Sequence, residues 1–520
     1  MNTQLTKIVS NFGKARTVVD TNDDEPRIVV NEAIGTAAFF YEKLRNTLDY
    51  QEEHLFLKNA IKRILKRKSI INLQDKPKRL MHELVWARYF PNDTLPQSTI
   101  DDVASFLRKY DFLKNNAKSK NNPREIASII DGFSACEIEE YLKPPEEREL
   151  YLGFVRSLFI DKIQIPEDEM DPVTQRIQLD ISLEKLLFKT DIEQLRFHLM
   201  RNYENHWPEI TKEEADKIAT NFDEILNGID YQINLNRNSK IFKYVKRNIP
   251  PFTILWQMIC ENKTGAAKIL GSRSSLQEFA LRLINTKNKN IYKKVVKALA
   301  RGIMFVLLTK IVLALIIEVP YEANLLGEIN YTALIANIAT PPIIMTVAGL
   351  FVRVPGPKNT GAILRMTEQI VFDNVLQVRG LNTLKKKKTR GYLLFNAVYS
   401  ILSLVILALA VWLLIYFKFN FVSIILFFVF VSVVSFLAFR IRSTAKELEV
   451  RSTEEGLITG VFSFILLPFV IIGKLLSDKW SEYNFTLYFW DIIVESPFKT
   501  FISLFESWLT FVREKREDFE

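Results

Sequence analysis

The sequence predicts an all-α membrane protein. An N-terminal soluble helical domain precedes a polytopic α-helical membrane domain of two helical hairpins plus a fifth apolar segment that either crosses or re-enters. Three observations carry the prediction. Four apolar runs, near 302–319, 331–351, 392–417 and 419–439, each approach the roughly 20 residues needed to cross a hydrocarbon core. Upstream of them, apolar residues recur at helical spacing, with no sustained period-two alternation. The charge is also divided. Residues 1–285 hold 42 Lys and Arg against 42 Asp and Glu, whereas 286–520 hold 27 against 18, so the whole excess of +9 lies beside the apolar runs.

The first half is expected to be a tail of residues 1–22 followed by a helical domain over 23–285. The tail shows no strong periodicity and is expected to be mobile; it lacks the apolar core of a cleavable signal peptide. A long helix is expected from Asp24-Glu25-Pro26, because Asp24 can cap it, Pro26 suits its first turn, and the acidic cluster matches the helix dipole. Its apolar face would run through Ile34, Ala37, Tyr41, Leu44, Leu48, Leu55, Ile61 and Leu65 to the basic end Lys62–Lys68, a rod of about 60 Å unless it kinks near Tyr50. Further helix starts follow at Ser98 with Asp101, Asn122-Pro123, Pro144-Pro145, Asp171-Pro172 and Thr211 before Glu213 and Glu214. Trp86, Trp207 and Trp256 read as core anchors.

The membrane domain is expected over 286–455. Its first span holds Lys310, its second holds Asn337, Thr340 and the dipeptide Pro341-Pro342, and its third and fourth hold no Asp, Glu, Lys or Arg. Basic flanks set the orientation. Lys293, Lys294, Lys297 and Arg301 precede the first span, and Lys385, Lys386, Lys387, Lys388 and Arg390 precede the third, while the first hairpin's turn has neither Lys nor Arg. The positive-inside rule then places the N-terminal domain and an elbow over 353–391 in the cytoplasm, with those side chains as candidate contacts to anionic headgroups. The elbow's Ile363, Met366, Ile370 and Val371 form an apolar stripe expected to lie on the inner leaflet. Residues 456–520 supply the fifth apolar segment and an amphipathic helix over 498–512.

No catalytic constellation emerges, so no enzyme activity, cofactor or metal is expected. None of His54, His82, His198 and His206 has the three- or four-residue spacing that puts two ligands on one helix face, and solvated histidines are the simpler reading. Two cysteines, Cys136 and Cys260, are too few for a disulfide framework and fit a reducing compartment. A nucleic-acid partner is disfavoured, because the positive excess accompanies the spans and not the soluble domain.

The candidate site is intramembrane: Lys310, Asn337, Thr340, Pro341 and Pro342. A proline has no N–H for the carbonyl four residues back, so those of Asn337 and Ile338 need another donor, and Lys310 is expected to supply it. Glu318 looks a poor partner, eight residues along the same helix and rotated by roughly 80°. The leading functional expectation is a non-enzymatic, membrane-anchored interaction protein with a protein partner on the cytoplasmic side. The alternative is a transporter or channel component using the broken second span and Lys310.

Overall fold

The computed structural model describes residues 3–11, 25–30, 53–66, 76–118, 122–203, 207, 210–263, 265–327, 330–350, 352, 354–376, 381–382, 390–450 and 457–482, with single residues between 31 and 50. These stretches are predominantly helical; among them the strands are just two residue pairs, Ile163–Gln164 and Leu381–Asn382. It forms two compact units that divide at residues 246 and 247.

The helical unit starts with α1, Thr3–Asn11, where a mobile tail was expected. Leu5, Ile8 and Val9 make a short apolar stripe that is buried, and that burial orders the segment. The expected helix does not start at Glu25-Pro26. Residues 26–30 are extended instead, with the Ile28 amide donating to Leu95 O at 2.9 Å and Asn92 exchanging hydrogen bonds with the Val30 backbone at 2.9 and 3.0 Å. The described residues Gly35, Phe39, Glu42 and Lys43 are helical, and α2, Phe56–Lys66, ends in basic residues as expected.

Then follow α3 Lys76–Trp86, α4 Thr99–Asn116, α5 Pro123–Leu142, α6 Glu146–Ile160, α7 Pro172–Leu187, α8 Ile192–Tyr203, α9 Lys212–Thr220, α10 Phe222–Asn238 and α11 Lys240–Asn248. The caps explain several of these starts. Asn122 accepts from the Arg124 amide, Asp171 accepts from the Thr174 amide, and Thr211 with Glu214 closes a full capping box. Ser98 does not cap α4; its hydroxyl donates to Glu25 instead, at 3.2 Å. Two apolar clusters fill the unit. One gathers Tyr110, Phe133, Phe197, Trp207 and Phe222, the other Leu57, Leu80, Leu84, Val103 and Ile138.

The membrane unit comprises α12 Pro250–Glu261, α13 Ala266–Gly271, α14 Arg273–Leu313, α15 Tyr331–Leu350, α16 Pro357–Glu368, α17 Arg390–Tyr416, α18 Phe421–Ala445 and α19 Leu457–Glu482. Among the described residues four stretches are long and apolar enough to cross a membrane, in α14, α15, α17 and α18, as in a multi-pass membrane protein. No linker separates soluble from spanning residues near 285, because α14 is one helix of 41 residues that carries Lys293, Lys294, Lys297 and Arg301 straight into the first span. The elbow's stripe is not turned to lipid. Ile363 of α16, which packs on α12 and α14, is fully buried, as are Ile370 and Val371 in the π turn Gln369–Asp373 that follows it.

The division at 246 and 247 has a practical consequence. A fragment ending at 246 is expected to be soluble and helical by circular dichroism. Extending it to 285 adds Phe252, Ile254, Leu255, Met258 and Ile259, all buried in the intact membrane unit. The longer fragment should therefore aggregate unless detergent is present, and equal solubility of the two would count against this division.

A candidate intramembrane polar site

Helices α14, α15 and α18 meet as a three-helix core. Asn330 and Asn420 stand at the starts of α15 and α18, accepting from the Ala333 and Ser423 amides at 3.1 and 2.8 Å. Both bind one carboxylate. Glu322 Oε2 accepts from the Asn330 amide at 3.0 Å and Oε1 from Asn420 Nδ2 at 2.6 Å. Two positive helix ends thus converge on one anion, the charge those ends prefer. Nearer the other end of the core the helices pack closely: a Cβ on Gly302 would meet the flexible end of Met345 of α15, which would have to shift, and Leu437 of α18 at 3.3 Å. Gly349 lies similarly against Leu299.

Between these levels Lys310 Nζ donates to Glu318 Oε1 at 2.7 Å, and both side chains are 0% exposed. Glu318 Oε2 accepts from Asn337 Nδ2 at 2.9 Å and from Ser423 Oγ at 3.1 Å. Asn337 Nδ2 also reaches Ser423 O at 3.3 Å, and the Lys310 ammonium lies 5.0 Å from the Phe430 ring centroid. One carboxylate therefore ties three helices together, with its charge balanced by a cation from its own strand of helix.

The expected geometry is corrected here. Glu318, not the carbonyls behind the prolines, is the Lys310 partner. Residues 314–318 form a π-helical turn, in which the Val319 amide bonds to Ala314 O, five residues back. One extra residue in the turn removes about 100° of phase, so the roughly 80° separation falls to roughly 20° and the two side chains share a face. The cause lies two residues beyond Glu318. Pro320 has no N–H for Ile316 O, so the four-residue ladder cannot continue there. A second π turn, Glu322–Leu326, follows it.

Of the sequence-predicted residues, Lys310 and Asn337 are brought together through Glu318. Thr340 is not; its hydroxyl is exposed and donates to Ala336 O at 2.6 Å. Pro341 and Pro342 are buried inside α15, which stays helical through both. Glu318, a poor partner on the phase of a regular α-helix, and Glu322, Asn420 and Ser423 lie outside the set that the sequence points to. Two signals could have found them: Pro320 after Glu318, and the Asn420-x-x-Ser423 capping pattern opening the fourth span. Of the candidate headgroup contacts, Lys293, Lys294, Lys297 and Arg301 are exposed on α14. Arg390 opens α17, with its side chain outside what is described, and Lys385, Lys386, Lys387 and Lys388 lie outside the described residues, as do 485–520.

His198 is not a solvated histidine. It is held between Glu140 and Glu184 in the helical unit, with ring nitrogens 2.8 and 2.6 Å from their oxygens. Comparison with models of known families, with curated proteins and with solved structures finds no match for this chain.

Proposed function

We propose that this chain is a non-enzymatic, membrane-anchored interaction protein whose helical unit faces the cytoplasm and meets a protein partner there. The observation that supports it best is the sealed Lys310–Glu318 pair. Both groups have zero exposure, each neutralises the other, and Asn337 and Ser423 occupy the second carboxylate oxygen. A site that moves ions or solutes needs water or substrate to reach its charges, and these are placed to hold helices. The exposed basic residues of α14 just ahead of Gly302 favour contact with anionic headgroups and a cytoplasmic N-terminal side. In this reading α19 enters the membrane beside α18 as the fifth segment.

A transporter or channel component is the second reading, favoured by the two π turns interrupting the first span and by the charges beside them. The intact chain reconstituted in liposomes distinguishes the two. An anchored scaffold leaves ion and solute fluxes at the level of empty vesicles and co-purifies in mild detergent with a stoichiometric protein. Flux that disappears in a Lys310→Met/Glu318→Leu variant would replace it with the transporter reading.

A further inference from the structure

The three-helix core carries one sign of charge beyond Gly302. No Asp or Glu occurs on α14 between Glu278 and Glu318, and none on α15 or α18. The first carboxylates after α18 are Glu447 and Glu449, and Glu449 meets Lys446 at 3.5 Å. Two contacts set α14 against α18: Gly302 faces Leu437, and Lys310 lies 5.0 Å from the Phe430 ring centroid. The helices are therefore antiparallel, and Arg301 and Arg440 stand within about 3 Å of one depth. They also share a flank. On α14, Leu299 against Gly349 of α15 is about 60° round from Gly302, and Arg301 is about 100° round the other way. On α18, Ser423, whose carbonyl accepts from Asn337 of α15, is about 40° to one side of Leu437, and Arg440 is about 60° to the other. Both guanidinium groups thus border the α14–α18 groove on the side away from α15. Lys297 and Lys294 lie within about 40° of Arg301, about 6 and 10 Å further from the span, and all four cations are exposed.

Four cations without a carboxylate at the end of a span select an anion in the headgroup layer, which is about 5–7 Å thick on each side. A zwitterionic headgroup would bring its own ammonium into that field. A headgroup with one phosphodiester offers a single charge to two level guanidinium groups. Two phosphodiesters at one depth give each guanidinium its own forked pair of hydrogen bonds. Deeper in the groove, Phe305 and Leu308 of α14 and Val433 of α18 are exposed on the same flank, where acyl chains can cover them.

We propose that the α14–α18 groove binds a phospholipid with two phosphodiester groups, of the diphosphatidylglycerol class, with Arg301 and Arg440 each taking one phosphate. The proposal rests on the reading that the basic end of α14 meets anionic headgroups, and the test separates the two. The intact chain is purified in mild detergent, stripped of lipid and titrated with diphosphatidylglycerol, and bound lipid is counted by native mass spectrometry. A single lipid should bind at least about tenfold more tightly than phosphatidylglycerol does. Arg301→Gln/Arg440→Gln should lose at least about tenfold in affinity, whereas Arg301→Lys/Arg440→Lys should lose less. Lys358→Gln, which removes an exposed cation of α16, should leave binding unchanged.

Both arginines are exposed, so these substitutions do not open the core, and thermal unfolding in the same detergent checks that the variants are folded. Equal affinity for phosphatidylglycerol would overturn the two-phosphate site and leave general headgroup attraction intact. No saturable binding of either lipid would remove both. An equal loss in Lys358→Gln would overturn the site too, because the charges would then act as a diffuse field. Inorganic pyrophosphate that displaces the lipid at the lipid's own concentration would assign the groove to free anions instead. The side of the membrane is read independently, with a Cys260→Ser/Lys293→Cys chain in sealed vesicles of known sidedness. Labelling of that cysteine from the outer side would overturn the cytoplasmic orientation and leave the lipid site standing.

Discussion

Glu318→Ala should be the most damaging single substitution in the membrane unit, lowering stability by about 3–5 kcal/mol. It leaves the Lys310 ammonium buried with no counter-charge and removes the acceptor of both Asn337 and Ser423. Lys310→Met should cost less, because the stranded carboxylate keeps those two donors. The paired variant Lys310→Met/Glu318→Leu should lie near the original, since a buried ion pair replaced as a unit by apolar groups of similar volume is often neutral. Thermal unfolding of the intact protein in one detergent, read for all four chains, checks the order. Equal losses in Glu318→Ala and in the paired variant would show that the two charges do not act together.

The second large effect is a fall in the stability of the helical unit as pH rises. Burial pushes the His198 imidazole down, but Glu184 and Glu140 outweigh it and raise the group to about 10. The folded state therefore holds a proton that the unfolded chain releases near 6.5. Its contribution is complete below that pH and is lost as pH climbs towards 10, at about 1.4 kcal/mol per unit. Glu139 adds to the trend at lower pH. Burial lifts its carboxyl to about 7, against a hydrogen bond from Gln194 and the charge of Lys58, so stability is also lost between about 4.5 and 7.

Glu140 works in the opposite sense at the acid end. Burial raises it, yet the hydrogen bond and charge of His198 hold it below the usual carboxylate range, so its contribution is lost on acidification. Hydrogen exchange of α5 and α8 amides between pH 6 and 9 should show protection falling in the original chain. His198→Gln should be weaker at pH 6, should keep only the Glu139 loss up to about pH 7, and should be nearly flat above that. A slope unchanged by that substitution would place the titrating group elsewhere.

The all-helical architecture and its four crossing helices were legible because the signals are local: apolar runs long enough to cross, basic flanks, and caps such as Asn122, Asp171 and Thr211. What escaped depends on phase and on tertiary neighbours. A straight α-helix separates Lys310 from Glu318, and a single π turn brings them together, which no count of spacings at 3.6 residues per turn reveals. Asp24-Glu25-Pro26 has the chemistry of a helix start, yet backbone pairing with the segment around Leu95 holds the chain extended. The stripe of Ile363, Ile370 and Val371 reads equally well as lipid-facing or protein-facing. The position of α12 decides between them, and composition contains no trace of that.

The uninterrupted run of α14 limits how the chain can vary in length. Between Arg273 and Leu313 there is no joint to absorb an inserted or deleted residue, so one change of length turns everything beyond it by about 100°. Its buried positions are interlocked at both ends, with Leu276 and Ala280 inside the structure near the start, and Gly302, Val306 and Lys310 within the three-helix core. A single-residue insertion near Lys289 would set the two faces against each other, whereas seven added residues come within about 20° of restoring them. Substitutions at the exposed Lys293, Lys294, Lys297 and Arg301 should be tolerated one by one, but the register of the helix is held at both ends and by the buried Val295 between them. The helix therefore acts as a gauge: its residue count fixes the angle between the α12–α16 platform and the Lys310–Glu318 level, and a tag or fusion joint belongs elsewhere in the chain.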